Sequence, residues 1–170
     1  MNVFETVRNR RSIRLYENKA VEKEKLLKVL EAARLAPSAG NGQPWSFVVI
    51  TDDNVKKNLR PAYDRDWFVA APVIIVACSL PEKAWVRQDG EQYWKVDVSI
   101  AVQNMILVAQ EEGFGTCWVA AFDEKRVKNV LGIPRNVRVV AMIPLGYPAE
   151  QKGPVVDRKP LEEIIRYEHW

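Results

Sequence analysis

Apolar residues recur along the chain with two different periods. In residues 2–9, Val3, Phe4 and Val7 share one side of a short helix. Residues 21–36 place Leu26, Leu27, Leu30 and Ala33 on one face and Lys/Glu on the other, an amphipathic helix that Pro37 ends. Residues 45–51 (WSFVVIT) read as a strand, followed by a helix start at DDNVKKNLR with an Asp cap. PVIIVACS, residues 72–79, is apolar at every position but its last, the pattern of a strand buried on both faces. Residues 80–92 (LPEKAWVRQDGEQ) show no period and read as an irregular excursion. Residues 94–112 form a long helix, apolar almost all round from Ile100 to Ala109 and interrupted by Gln103 and Asn104. Such a helix belongs in the core, at a subunit interface, or both. GFGTCWVAAF then gives a turn and an extended segment. Asp123 caps the helix EKRVKNVLG, which Gly132 closes, and VRVVAMIPLGYP is another strand. After a polar stretch, PLEEIIRYEHW reads as a terminal helix with Pro160 in its first position. The elements alternate without a strict βαβ repeat, which predicts an α+β domain with one helix-packed sheet. Its terminal arm folds back on the domain or reaches across a neighbouring subunit.

Composition narrows the function classes. The 170 residues suit a single domain with a real core, and nearly half are hydrophobic. The 25 basic and 22 acidic side chains leave a net charge of only +3, too balanced for a general nucleic-acid binder. The longest apolar run, residues 68–80, is too short to span a bilayer and contains Pro72. No secretory signal is visible in MNVFETVRNRR, so a soluble, cytoplasmic protein with no membrane or nucleic-acid partner is expected. Cys78 and Cys117 sit in apolar surroundings and read as reduced, buried thiols. The single histidine, His169, stands next to the last residue, and no Cys/His cluster has metal-ligand spacing. Nucleophilic catalysis through histidine is therefore not expected. If the chain is an enzyme, a bound cofactor carries the hard chemistry.

Four segments hold candidate binding chemistry. RNRRSIR, residues 8–14, packs four arginines into seven positions. If extended, it points Arg10, Ser12 and Arg14 one way and Arg11, Ile13 and Leu15 the other. Two guanidinium forks around a hydroxyl suit a phosphate; the plain alternative is a basic helix end facing solvent. APSAGNGQPWSF offers Ala36, Ala39, Gly40 and Gly42 for close approach, with Ser38, Asn41 and Gln43 able to read a heterocycle's edge. It also fits an ordinary helix-to-strand turn. GFGTCWVAAF can expose backbone N–H groups, although Gly113 and Gly115 lack the third glycine of a dinucleotide fingerprint. DRKP, with Arg158 and Lys159, is a second basic spot, either solvated surface or part of the same anion site.

Taken together, RRSIRLY, ARLAPSAGNGQPWSFVVI, APVIIVAC, VAQEEGFGTCWVAAF, LGIPRNVRVVAMIPLGYP and DRKPLEEIIRYE resemble, in order and over nearly the whole chain, the nitroreductase family of FMN-dependent oxidoreductases. The resemblance implies a nitroreductase-like flavoprotein fold, with a central, mostly antiparallel sheet. It also implies an intertwined homodimer with FMN at the interface and residues 150–170 docking on the partner. By the same resemblance, Arg10 and Ser12 hold the FMN phosphate or ribityl chain, with Arg11 in support, and Arg14 lies toward the pyrimidine side. Arg158 and Lys159 complete the phosphate site. Pro37, Ser38, Ala39, Gly40, Asn41 and Gln43 approach the flavin, in part from the partner subunit, and Ala120 and Ala121 present N–H groups near N5 and O4. Residues 80–93 form the variable cleft element, with Trp85, Arg87, Tyr93 and Trp94 as candidate lining. The implied activity passes electrons from NADH or NADPH to nitroaromatic, quinone or similar small acceptors in two half-reactions. A flavin-holding or flavin-sensing dimer with little turnover is the alternative.

Overall fold

Four antiparallel strands form one sheet in the order β1-β2-β4-β3 in a computed structural model that describes residues 2–170. The strands are β1 (Trp45–Ile50), β2 (Val73–Ser79), β3 (Gly115–Thr116) and β4 (Arg138–Gly146). β1 pairs with β2 from Trp45↔Ser79 to Ile50↔Ile74. β2 pairs with β4 from Val73↔Leu145 onward, with a bulge at Ala77/Cys78. Every residue of β2 is buried because the strand is central and covered on both faces. Val73, Ile75 and Ala77 enter one core with residues of α2 (Lys23–Arg34) and α5 (Trp94–Glu111). Ile74, Val76 and Cys78 enter a second core with Leu59, Phe68 and Val127, next to or on α3 (Asp53–Asn58), α4 (Asp66–Val69) and α6 (Glu124–Leu131). The α+β reading and the helix-packed antiparallel sheet are observed. Both cysteines are free and buried, and burial pushes the Cys78 thiol up to about 11.

Local signals place the short helices. Asp52 accepts from the N–H groups of Asn54 and Val55 to start α3. Asp123 accepts from Arg126 N–H to start α6, and Gly132, at φ 64°, ends it. α1 (Val3–Asn9) begins with a reciprocal capping box between Asn2 and Glu5. Its apolar face is not covered by its own chain: Val3 and Phe4 are 76% and 75% exposed. α5 buries Val98, Ala101, Val102, Met105, Ile106 and Ala109 but leaves Val96 and Ile100 exposed. The all-round apolar helix is thus a core helix with one side uncovered. No helix among the described residues is long and apolar enough to cross a membrane.

Two elements differ from the sequence reading. α4 has only four residues, too few to show a period. The terminal helix is confined to α7 (Leu161–Ile164), with Pro160 at the cap instead of the first helical position. Leu161 and Ile164 are exposed, and a helix this short with no face to bury does not propagate.

Residues 12–16 run along the outside of β3. Ser12 pairs in parallel with Thr116, and Ile13 N–H donates to Thr116 O at 2.9 Å. The approach requires glycine at 115, where a Cβ would stand 2.7 Å from Ile13 Cβ. Gly115→Ala is expected to cost about 1–3 kcal/mol of unfolding free energy by overpacking this contact. Urea denaturation checks it; an unchanged midpoint would show that residues 12–16 do not seat here.

Candidate functional site

The arginine-rich segment leaves α1 at Arg10, whose N–H still donates to Thr6 O. Ile13 is buried against β3, and Tyr16 Oη donates to Ile13 O at 2.8 Å. Burial pushes the Tyr16 hydroxyl well above the usual phenol range. Residues 149–154 close over the same stretch. Ala149 N–H donates to Leu15 O at 2.9 Å, and Glu150 Oε1 accepts from Arg14 N–H at 2.6 Å. Lys152 Nζ donates to Ser12 O at 2.8 Å, and Arg11 donates to the carbonyls of Gly153 and Pro154. The predicted alternation holds at Ile13 but not at Leu15, which is exposed, or at Arg11, which is drawn to the arm. The Arg14 guanidinium sits over the Trp67 ring at 5.7 Å. Arg10 makes no side-chain hydrogen bond or ion pair with the described residues, so its charge is available to a ligand.

The loop ahead of β1 is strained. Gly40, Asn41 and Gln43 have φ of 58°, 55° and 46°, and two of these are not glycine. Left-handed backbone at such residues is costly and is characteristic of ligand sites. Ala39 N–H donates to Asp97 Oδ1 at 2.9 Å, and Gln43 N–H donates to Ser38 Oγ at 3.0 Å. Gln43 Nε2 donates to Asn41 Oδ1 at 3.2 Å. Gly42 packs tightly on residue 83 of the same chain, where a Cβ would stand 2.8 Å from Lys83 O. Pro37, Gly40, Asn41 and Gln43 remain exposed. Asp97 was not among the residues picked from sequence. Its signal was a carboxylate near the start of an apolar helix whose other acidic residues, Glu111 and Glu112, stand at its far end.

The excursion after β2 is more ordered than its sequence suggests. Val86 pairs with Gln92, and the Trp85 and Tyr93 rings meet edge to face at 5.1 Å. Arg87 is engaged inside the excursion by Asp89, at 2.7–3.0 Å, and by Tyr93 Oη at 3.1 Å. Trp85 is half-exposed and stands beside Gly40, so it can line a cleft. Trp94 cannot line one openly: it is buried and donates to Gln92 Oε1 at 3.1 Å.

Sheet order separates these parts. Residues 12–16 flank β3, whereas residues 37–43 feed β1, at the opposite edge. Three strand spacings span about 15 Å. Ala120 and Ala121 follow the Val119↔Met142 pairing, are exposed, and have N–H groups without an acceptor among the described residues. Arg158 and Lys159 are exposed too, and among the described residues Arg158 donates only to the adjacent Asp157 O. One chain therefore joins residues 11–15 to 149–154 and shapes residues 38–43, and its sheet order keeps that loop apart from residues 12–16.

The nitroreductase family model matches residues 7–68 and 60–147. An NADH dehydrogenase of Thermus thermophilus is 32% identical over 187 residues, covering 92% of this chain and 91% of its own. A crystal structure of a nitroreductase family protein from Clostridium difficile 630 is 35% identical and superposes over all of both chains with a TM-score of 0.88. The FMN-dependent nitroreductase of Clostridium difficile R20291 is 31% identical, over 98% of this chain and 99% of its own, with a TM-score of 0.85.

Glu150 yields a pH prediction. Its bond from Arg14 N–H, followed by Lys152, holds its carboxyl below the ordinary value of 4.5. A lowered folded-state value means that its stabilisation is complete above the ordinary value and is lost as pH falls through the folded one. Glu150→Gln is expected to reduce the loss of urea stability below about pH 4.5 and to speed amide exchange at Arg14. An acid limb and an Arg14 exchange rate identical to wild type would contradict this.

Proposed function

Because the chain belongs to the nitroreductase family, we propose that it is a homodimeric FMN-dependent oxidoreductase. It takes electrons from NADH or NADPH and delivers them to nitroaromatic, quinone or similar small electrophilic acceptors. The observation that carries this reading is the divided site, with Arg10, which has no side-chain partner among the described residues, at one sheet edge and a strained, amide-rich loop at the other. A two-fold partner sets the loop of one chain beside the arginine segment of the other. The same pairing gives the uncovered apolar side chains of α1, α5 and the arm, Val3, Phe4, Ile100, Leu161 and Ile164 among them, a surface to bury. Residues 150–170 are then an arm of a single domain that docks on the partner subunit.

The residues fit a flavin mononucleotide. Arg10 and the Ser12 hydroxyl suit its phosphate and ribityl chain, with Arg158 and Lys159 adding charge once the arm is docked. Arg11 supports this site by tying the arm's carbonyls to the segment. The unclaimed N–H groups of Ala120 and Ala121 suit the acceptor edge of the ring, and residues 37–43 offer the Asn41 and Gln43 amides. When bound, FMN supplies hydride acceptance at N5 and onward electron transfer. The chain's contribution is to bind, orient and polarise. Arg14 favours the electron-rich, reduced ring electrostatically, and backbone donors fix the ring's angle to an incoming nicotinamide. No side chain is assigned as a general acid or base.

Anaerobic addition of NADH or NADPH to the purified flavoprotein is expected to bleach its visible absorbance within a catalytic turnover time, and a nitroaromatic or quinone is expected to restore it. A flavoprotein that neither nucleotide bleaches would be a flavin-holding dimer. A protein that cannot retain FMN would overturn the reading.

A further inference from the structure

We infer that Asp97 is a positioning residue that holds the loop 38–43 in its ligand-ready shape at the expense of fold stability. The inference rests on reading that loop as part of the flavin site. Asp97 is 1% exposed and lies in the first turn of α5, near the buried apolar residues Val98 and Ala101. Its Oδ1 accepts the Ala39 N–H at 2.9 Å, and its Oδ2 is buried without any partner among the described residues. A carboxyl group in that state destabilises the fold, and an apolar group of similar shape does not. Its place near the helix N-terminus offsets part of that cost. Packing alone therefore gives no reason for a carboxyl here; the Ala39 N–H does.

The geometry of the loop explains what that bond achieves. At its far end the chain is pinned at Pro44, whose carbonyl accepts from Ser79 Oγ at 3.0 Å and Leu80 N–H at 2.8 Å. At its near end the buried tie is Asp97 to Ala39. Between these two points the chain adopts three left-handed residues and passes Lys83 O too closely for any Cβ at position 42. The remaining side-chain bonds, Gln43 to Ser38 and Gln43 to Asn41, are exposed and compete with water. Release of Ala39 lets Asn41 and Gln43 relax toward ordinary backbone conformations, and the loop loses its preorganisation for the flavin.

Three variants of the full chain separate this role from a merely structural one. Asp97→Leu removes the acceptor and the unmet oxygen together. Asp97→Asn keeps an acceptor for Ala39. Ala39→Pro deletes the donor and sets its ring Cδ where the N–H pointed, driving residue 39 off Asp97 Oδ1; Ser38, at φ −141° and ψ 154°, already has the extended backbone that a following proline requires. Asp97→Leu is expected to melt, with FMN removed, at or above the wild-type temperature. Its FMN dissociation constant is expected to rise at least about tenfold, with an altered visible circular dichroism of the bound flavin. Ala39→Pro is expected to reproduce that flavin defect, and Asp97→Asn to stay within about threefold of wild type with the wild-type dichroism. Wild-type FMN affinity and dichroism in both Asp97→Leu and Ala39→Pro would overturn the inference and leave the flavin reading intact. So would an Asp97→Asn defect as large as that of Asp97→Leu. A wild-type chain that does not bind FMN would instead overturn the flavin reading itself.

Discussion

The placement of β2 between β1 and β4 is the constraint from which the rest of the structure follows. A strand buried on both faces needs helices on both sides, and its alternating side chains supply α2 and α5 with one core and α3, α4 and α6 with another. The same order sends β1 to one edge and β3 to the other. Residues 12–16 and the loop 37–43 are attached to opposite edges. The site is consequently divided by the sheet that stabilises it, and the proposed dimer resolves that division.

Each half is built differently. At the β3 edge, order comes from a zipper between residues 11–15 and 149–154, in which Arg11, Glu150 and Lys152 are engaged and Arg10 has no side-chain partner among the described residues. At the β1 edge, order comes from strain held between a buried carboxyl and a pinned proline carbonyl. The unrelaxed backbone of the loop is unfavourable in an isolated chain.

Much of this was legible from residue types and local spacing. Asp52, Asp123 and Gly132 punctuate helices through contacts within a few residues, and β2 declares its double burial in an unbroken apolar run. The basic segment and the small-residue loop also stand out by composition. Long-range geometry was not legible. The Arg11 contact with Gly153 spans 142 residues, and the separation of the two segments depends on a strand order that no local pattern encodes. Arg14 turning to Trp67 has the same origin. Trp94 looked available because its neighbours are polar, yet the helix it begins carries it into the core. Asp97 was hidden by its apolar surroundings, which are what make a carboxyl there informative. The terminal helix was overread because its apolar side chains find no surface within their own chain.

The central claim is that one flavin site takes residues from two chains, and complementation tests it most directly. Arg10→Ala damages the arginine half and Gly42→Val the loop half, so each variant alone is expected to lose most of its FMN. In a heterodimer isolated from co-expression of the two, the intact arginine segment of one chain meets the intact loop of the other. The account predicts about one FMN per heterodimer, half of the wild-type content. Heterodimers as empty as the two parents would contradict it, since they would place both halves of each site on the same chain.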